Sequence, residues 1–253
     1  MPKFAGFGAR AALAVALTLA LSAPLRAAEP IKLQAVAPSV WFVQGEAALG
    51  SPANRNFISN AGVVVTSEGV VVIDALGSPA LADELLAAIA RVTAQPVRYV
   101  IVTHYHADHI YGLQAFKARG ATVIAQAGGR EYLNSDTAAR RLEASRQELA
   151  PWIDTKTRLI AADRWLDADT TLTLGGERFH IRHAGPAHTG EDLVVLAERS
   201  RVLFAGDIVF RGRVPFVGNA DSSRWIETLD KLALHAPALP VPGHGPPSPD
   251  TIA

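Results

Sequence analysis

The chain has 253 residues, with 24 Lys and Arg against 24 Asp and Glu, so its formal net charge is zero. Without an excess of basic residues it lacks the electrostatic footprint of a nucleic-acid-binding protein, and we expect a small-molecule partner instead. The chain contains no cysteine, which excludes disulfides, thiol catalysis and cysteine metal ligands. None of these properties indicates an oligomeric state.

The first 28 residues have the pattern of an export signal. Lys3 and Arg10 are followed by an apolar run over residues 11–21 and by small residues over residues 22–28. This run is much shorter than the roughly 20 residues that a membrane-spanning helix needs. We therefore expect cleavage after Ala27 or Ala28, export to the periplasm, and no membrane span in the mature chain. An uncleaved anchor is the alternative.

The first half of the mature chain alternates apolar runs, which predict buried strands, with amphipathic patterns, which predict helices. The segment over residues 45–60 is rich in small polar residues and predicts a loop. In chain order the predicted elements are strands over 40–43 and, as a hairpin, 62–74; a helix over 80–92; a strand over 97–102; a helix from Ile110 to Phe116; a strand over 121–125; and a surface helix over 137–149.

Four potential metal ligands follow the strand over residues 97–102. His104 and His106 are two residues apart, so an extended segment points both to one side. Asp108 and His109 are adjacent and point differently, which suits a second metal ion beside the first. This density directly after a buried strand favours a metal site over a chance cluster in a solvated loop.

The second half predicts hairpins over residues 165–183 and 193–205, then a helix and a short strand that ends before His244. His180 faces away from its apolar neighbours in the first hairpin, so we assign it a structural role. Both halves run strand, aspartate, helix, strand, histidine, which indicates an internal duplication within one α/β domain over residues 29–253. Asp74 and Asp207 occupy equivalent places in this repeat.

Three later segments complete the metal pattern: the turn around His188, Asp207 after a buried strand, and Pro-Gly-His-Gly at His244. Together with residues 104–109 they resemble the metallo-β-lactamase superfamily. The resemblance implies a four-layer αββα sandwich with its metal site at one edge. It also implies two zinc ions per chain, although iron or manganese would be accepted by the same side chains. The implied ligands are His104, His106 and His188 for one ion, Asp108, His109 and His244 for the other, and Asp207 between them.

His183 competes with His188 for the third-histidine role, although it belongs to a predicted strand and not to the turn. A bridging aspartate in a chain without cysteine is similar to the glyoxalase II branch. The exported chain as a whole is similar to zinc metallohydrolases of periplasmic quinoprotein systems. Family members commonly continue into a terminal helix after the last histidine, and we expect that helix to be missing, because the chain ends at Ala253.

The resemblance implies roles for four further features. Asp74 would support the metal loop by hydrogen bonds. Asp108 would orient a zinc-bound hydroxide and relay a proton. Arg211 and Asn219 are candidate substrate contacts, since β-lactam-hydrolysing relatives hold their substrate with a basic residue and an asparagine in this region. The loop over residues 45–60 would approach the active site.

The expected function is zinc-dependent hydrolysis of an ester, thioester or lactam bond by an exported enzyme. Three alternatives remain: a β-lactamase, a mononuclear-iron persulfide dioxygenase, and a non-enzymatic accessory protein of a periplasmic redox system. The Gly-x-Ser-x-Gly segment of a serine hydrolase is absent. The residues do not indicate the identity of the substrate.

Overall fold

The structure, a computed structural model, describes residues 30–234 and 237–249. The predicted export signal and residues 250–253, at the end of the chain, lie outside the described residues.

Two β-sheets form the centre of the described chain. The seven strands of the first sheet are neighbours in chain order: β1 (Gln34–Ala37), β2 (Val40–Val43), β3 (Ala61–Thr66), β4 (Gly69–Ile73), β5 (Val97–Ile101), β6 (Thr122–Gln126) and β7 (Arg164–Leu166). The second sheet has the order β12 (Leu239–Val241), β11 (Val202–Phe204), β10 (Leu193–Ala197), β9 (Glu177–His183) and β8 (Thr170–Leu174).

Helices occupy the connections between these strands. They are α1 (Pro79–Ala90), α2 (Ala107–Ile110), α3 (Leu113–Lys117), α4 (Gly129–Leu133), α5 (Asp136–Glu148) and α6 (Ser222–Leu234). The longest helix of the first half, α1, begins where the sequence directs it. Ser78 caps it by accepting a hydrogen bond from the backbone N–H of Leu81, and Pro79 stands in the first turn. None of the helices in the described ranges is long and apolar enough to cross a bilayer.

The two sheets pack face to face, and helices cover their outer faces. Inner-face side chains such as Val71 and Ile101 of the first sheet share one buried cluster with Phe179 and Phe204 of the second. Burial of each such side chain contributes roughly 1.5–3 kcal/mol. Apolar residues of α1 and α3 pack on the outside of the first sheet, and those of α6 pack on the outside of the second. This arrangement confirms the predicted αββα sandwich.

Two parallel strand pairs place the edge at which the site forms. β4 pairs in parallel with β5 across α1, and β11 pairs in parallel with β12 across α6. An aspartate lies at the carboxyl end of the first strand of each pair: Asp74 directly follows β4, and Asp207 lies three residues after the end of β11. The repeated strand–aspartate–helix–strand order that the sequence shows is thus also a repeat of local structure.

Three predictions of local structure were incomplete or wrong. β1 and α4 were not predicted. Trp165 was assigned to a hairpin with residues 170–183, but it lies in β7, which pairs with β6 in the first sheet. The helix predicted from Ile110 to Phe116 is interrupted at Gly112, because the backbone N–H of Gly112 donates to the carbonyl oxygen of Leu76 at 3.2 Å and not to a carbonyl of the helix.

Candidate metal centre

Seven side chains converge at the carboxyl edge of the two sheets. His104 and His106 follow β5, and α2 then carries Asp108 and His109 in a single short turn. The remaining three come from the other half of the chain: His188 from the turn between β9 and β10, Asp207 from a 3-10 turn after β11, and His244 from the segment after β12. All seven residues that the sequence singled out as candidate ligands lie here.

The seven side chains form two groups, in each of which the nitrogen and oxygen atoms that could hold a metal ion lie within 4.8 Å of one another. The first group is His104, His106, His188 and Asp207, and the second is Asp108, His109 and His244. The grouping agrees with the division that the resemblance implied.

The Asp207 carboxylate lies between the two groups. Its Oδ2 is 3.6 Å from Nε2 of His104 and 3.3 Å from Nε2 of both His188 and His244, and its Oδ1 is 3.1 Å from Nε2 of His109. Its side chain is only 4% exposed. A Cβ on Gly243 would approach Asp207 Oδ1 to 2.0 Å, so the glycine before His244 is required by this packing.

Several atoms in the cluster lack hydrogen-bond partners. Nε2 of His104, Nε2 of His109 and Oδ1 of Asp207 are buried and find no hydrogen-bond partner within the described residues. Each such atom costs roughly 1–3 kcal/mol when left unsatisfied. The contact between His109 and Asp207 is short, yet it does not have hydrogen-bond geometry. Lone pairs that converge on common points without pairing are what a cation site requires, and the imidazole and carboxylate set fits zinc.

Hydrogen bonds to Nδ1 orient three of the histidines. Nδ1 of His109 lies 2.9 Å from Asp74 Oδ2, Nδ1 of His244 lies 2.6 Å from the carbonyl oxygen of Ile58, and Nδ1 of His104 lies 3.1 Å from Thr103 Oγ1. If each Nδ1 carries the proton, Nε2 presents its lone pair to the cluster. Partners of this kind set the tautomer of a metal-binding histidine.

Asp74 supports the loop that carries the first four candidate ligands. Besides His109, it accepts hydrogen bonds from the backbone N–H and the hydroxyl of Thr103, both at 2.8 Å. Asp74 has a positive φ of 63°, a conformation that is uncommon outside glycine and asparagine. It lies beneath the loop and outside both groups, which is where the resemblance placed it.

The electrostatics differ between the two groups. Burial lowers the pKa of His188 to about 4, against the opposing effect of Asp207, and burial also lowers the pKa of His104 well below its usual range. Burial acts in the same sense on His244, but Asp207 and Asp108 outweigh it and raise its pKa to about 9. In the metal-free chain a proton on His244 therefore offsets the two carboxylates, and a divalent cation would take over that role.

The cluster forms the floor of a cleft of about 430 Å³. One wall is the segment over residues 45–60, which contributes Leu49, Asn56 and Ile58, and the other walls come from α4, α5 and the loop after β11. Ser59 Oγ donates to the carbonyl oxygen of Asp108 at 2.5 Å. Asn60 Nδ2 donates to the carbonyl oxygens of Pro242 and Gly245, both at 2.8 Å. The predicted approach of this loop to the site is confirmed.

Three further sequence-derived candidates have different positions. His183 lies on β9 outside both groups, with Nε2 2.9 Å from the carbonyl oxygen of Gly190. Asn219 lines the cleft, whereas Arg211 does not. The backbone N–H of Arg211 donates to the carbonyl oxygen of His244 at 2.9 Å, within a parallel bridge between Phe210 and His244 that holds this segment.

Arg213 is the basic residue of this loop that lines the cleft, and it was missed from the sequence. Its guanidinium donates to the carbonyl oxygen of Ala48 at 3.0 Å. Arg211 and Arg213 are two residues apart in an irregular segment, and no periodicity distinguishes them. Only the fold shows which of them faces the site.

A sequence comparison matches residues 54–244 to the metallo-beta-lactamase superfamily. The chain belongs to this superfamily. The metallo-beta-lactamase IND-1 of Chryseobacterium indologenes is 27% identical over 195 residues, which cover 75% of this chain and 73% of that relative. Family membership and the donor atoms of the cluster together identify a metal-dependent hydrolase.

Two further matches show how widely the superfamily fold is used. A metallo-beta-lactamase from Pontibacter korlensis has a similar fold, with a TM-score of 0.66 at 24% identity over 88% of this chain and 95% of that one. A linear primary-alkylsulfatase of a Pseudomonas species is 23% identical over 219 residues, which cover 73% of this chain and 41% of the relative. Relatives with such different names do not by themselves indicate a substrate.

Replacing Asp74 by Asn should weaken zinc binding about 10–100-fold, because the carboxylate orients His109 and the loop around Thr103. Competition with a chromophoric chelator measures this affinity. Asp83→Asn is the matched control, since Asp83 is 54% exposed, pairs with Arg119 and lies outside both groups. Equal zinc affinities for the two variants would show that Asp74 does not support the site.

Proposed function

We propose that this protein is a dizinc hydrolase that cleaves an ester, thioester or lactam bond. The single observation that carries this proposal is the position of Asp207, whose carboxylate lies 3.1–3.6 Å from histidines of both groups. Two nearby cations repel each other, and a shared carboxylate offsets that repulsion. A mononuclear iron site would need only three of these side chains. The proposed ligands are His104, His106 and His188 for one zinc, Asp108, His109 and His244 for the other, and Asp207 for both.

When bound, zinc would polarise the scissile carbonyl group and lower the pKa of water to about 7. Asp108 is the protein group best placed to handle the proton. Its side chain is 16% exposed against 4% for Asp207, and it lines the cleft. Burial raises the pKa of Asp108, but His109 and His244 outweigh burial and hold it below the usual range. An ionised carboxylate at the cleft floor can orient the attacking water and accept its proton.

The purified protein should contain close to two zinc ions per chain, measured by plasma mass spectrometry, and should hydrolyse its substrate without oxygen.

His106→Ala should remove the first zinc and the activity, because His106 belongs to the first group. Asp207→Asn should lower occupancy of the second site more than that of the first and reduce turnover without unfolding the chain. His183→Ala is the matched control and should keep both ions, since His183 lies outside both groups.

Three results would contradict this assignment. Full metal content and near-normal turnover in His106→Ala would remove His106 from the site. One iron per chain, with oxygen consumed on a persulfide, would favour the dioxygenase. Two zinc ions without turnover of any ester, thioester or lactam would favour the non-enzymatic accessory role.

A β-lactamase is the second candidate function, and it is supported by the presence of Arg213 and Asn219 in the cleft wall. A guanidinium and an amide are suited to the carboxylate and carbonyl of a β-lactam. The resemblance implied a basic residue in this region, for which Arg211 was the candidate, and Arg213 takes that role in this proposal.

Arg213→Ala should raise KM for a carboxylate-bearing β-lactam about tenfold, the cost of one charge-assisted hydrogen bond. It should leave KM for an uncharged ester within about twofold. Steady-state kinetics on both substrates provides the measurement, and Arg211→Ala is the control, because Arg211 does not line the cleft. If the wild-type protein hydrolyses no β-lactam at all, this second candidate is eliminated and the ester or thioester remains.

We also propose that the chain is exported, that residues 29–253 form one domain, and that it belongs to the glyoxalase II-like part of the superfamily. Asp207 in a chain without cysteine supports the last point.

Mass spectrometry of the periplasmic fraction should show a chain that begins at residue 28 or 29, because small residues follow the short apolar run. A membrane-bound product with an intact N-terminus would instead support an uncleaved anchor.

A further inference from the structure

A second cavity, of about 390 Å³, lies between α6 and the loop that follows β11. Its volume is within the roughly 300–1,000 Å³ of small-molecule sites. Apart from one arginine and one serine, the side chains that line it are apolar. We call this cavity the α6 groove, and the lining residues that matter here are Phe210, Arg213, Pro215, Val217, Ile226 and Leu229.

The α6 groove begins at the wall of the metal cleft. Phe210 and Arg213 line both cavities. The Phe210 ring stacks on His244, with ring centroids 4.8 Å apart and an interplanar angle of 12°, and its centroid is 5.5 Å from that of His188. Trp225, which also lines the groove, has its centroid 6.4 Å from that of Phe210 and 5.4 Å from that of His188. Phe210 and Arg213 therefore form the boundary that the metal cleft and the α6 groove share.

Exposed apolar side chains are concentrated on this side of the molecule. The described ranges expose six large apolar side chains. Five of them lie in the loop after β11, in α6 or at the rim of the metal cleft, and Val92 is the exception. The other five are Leu49, Val214, Phe216, Val217 and Ile226, which are 57–85% exposed. Clustering of this kind marks a surface that binds an apolar partner.

Phe216 extends the apolar surface from the groove to the first metal group. It lines the metal cleft, and its ring lies edge-on to His106 with centroids 6.0 Å apart. Apolar side chains thus line both neighbouring cavities: Phe210 and Phe216 line the metal cleft, and Phe210, Val217 and Ile226 line the groove. Arg213 is the cation at the junction of the two cavities, so it can hold a polar or anionic group next to the reacting bond.

We propose that the α6 groove is a substrate subsite for an apolar chain. The substrate class is then an amphiphile, with its hydrolysable carbonyl at the metal cluster, its polar part beside Arg213 and an acyl chain along Val217 and Ile226. This inference rests on the proposed hydrolytic function for its kinetic test only. The continuity of the groove with the cleft favours a substrate extension over a second copy of the chain or an unrelated protein.

The kinetic test uses p-nitrophenyl esters of acetate, butyrate and octanoate. A buried methylene contributes roughly 0.8 kcal/mol, or about fourfold in kcat/KM, so octanoate should exceed acetate by at least about tenfold. The double variant Val217→Gln, Ile226→Gln should lower the octanoate-to-acetate ratio at least about fivefold. Both side chains are more than half exposed, so polar replacements should not disturb folding. The matched control Val92→Gln should keep the wild-type ratio.

A binding test separates failure of the groove from failure of the proposed hydrolysis. Octanoate and acetate are titrated into the zinc-loaded protein by calorimetry, and the double variant should lose at least about fivefold in octanoate affinity relative to acetate. If no ester is hydrolysed but this difference is found, the subsite stands and the proposed function fails. If esters are hydrolysed but neither the ratio nor the binding changes, the subsite is overturned while the function stands.

Sedimentation analysis distinguishes the competing occupant. The wild-type protein and the double variant should have the same mass in solution. A wild-type dimer that the double variant converts to a monomer would show that the groove joins two copies of the chain, and this result would overturn the subsite.

Discussion

The burial of one carboxylate among four imidazoles is the constraint on which the site depends. Asp207 is 4% exposed, and its neighbours His104, His109, His188 and His244 come from three separate regions of the chain. Burial alone would raise the pKa of this carboxyl, yet the charges of His109 and His244 outweigh burial and lower it well below its usual range. An ionised group in such a place is stable only with cations nearby. The fold must therefore bring both halves of the chain to one edge.

The backbone around the cluster is organised to keep the imidazoles in place. Asp74 holds His109 and Thr103 from below, and the carbonyl oxygen of Ile58 holds His244. The segment over residues 45–60 is bonded to the carbonyl oxygen of Asp108 and to the loop around His244. A single surface segment thus links the ligand motifs of both halves. The same segment forms one wall of the cleft, so metal geometry and substrate access depend on one set of contacts.

Much of the fold and the four candidate ligands over residues 104–109 could be predicted from local sequence signals, whereas the roles of His188, Asp207 and His244 were implied by the resemblance to the superfamily. Runs of Val and Ile predicted β3, β4 and β5. His104 and His106 are two residues apart, so an extended segment after a strand is enough to point both side chains into one site. Other features depend on partners far along the chain. Trp165 was assigned to the hairpin over residues 165–183, but its strand pairs with β6 of the other sheet. The break at Gly112 accompanies a backbone hydrogen bond to Leu76, which no local pattern reveals.

The sequence by itself determined the types and spacing of the candidate metal-binding residues and the sheet-and-helix order, since donor chemistry and hydrophobic periodicity are properties of short segments. Only the tertiary structure decided which side chains face the cleft. Arg213 faces it and Arg211 does not, because the backbone of Arg211 is bonded to the segment of His244. The α6 groove likewise exists only because α6 packs beside the loop after β11. Orientation in irregular segments is set by long-range contacts, and those contacts form only when the two sheets pack together.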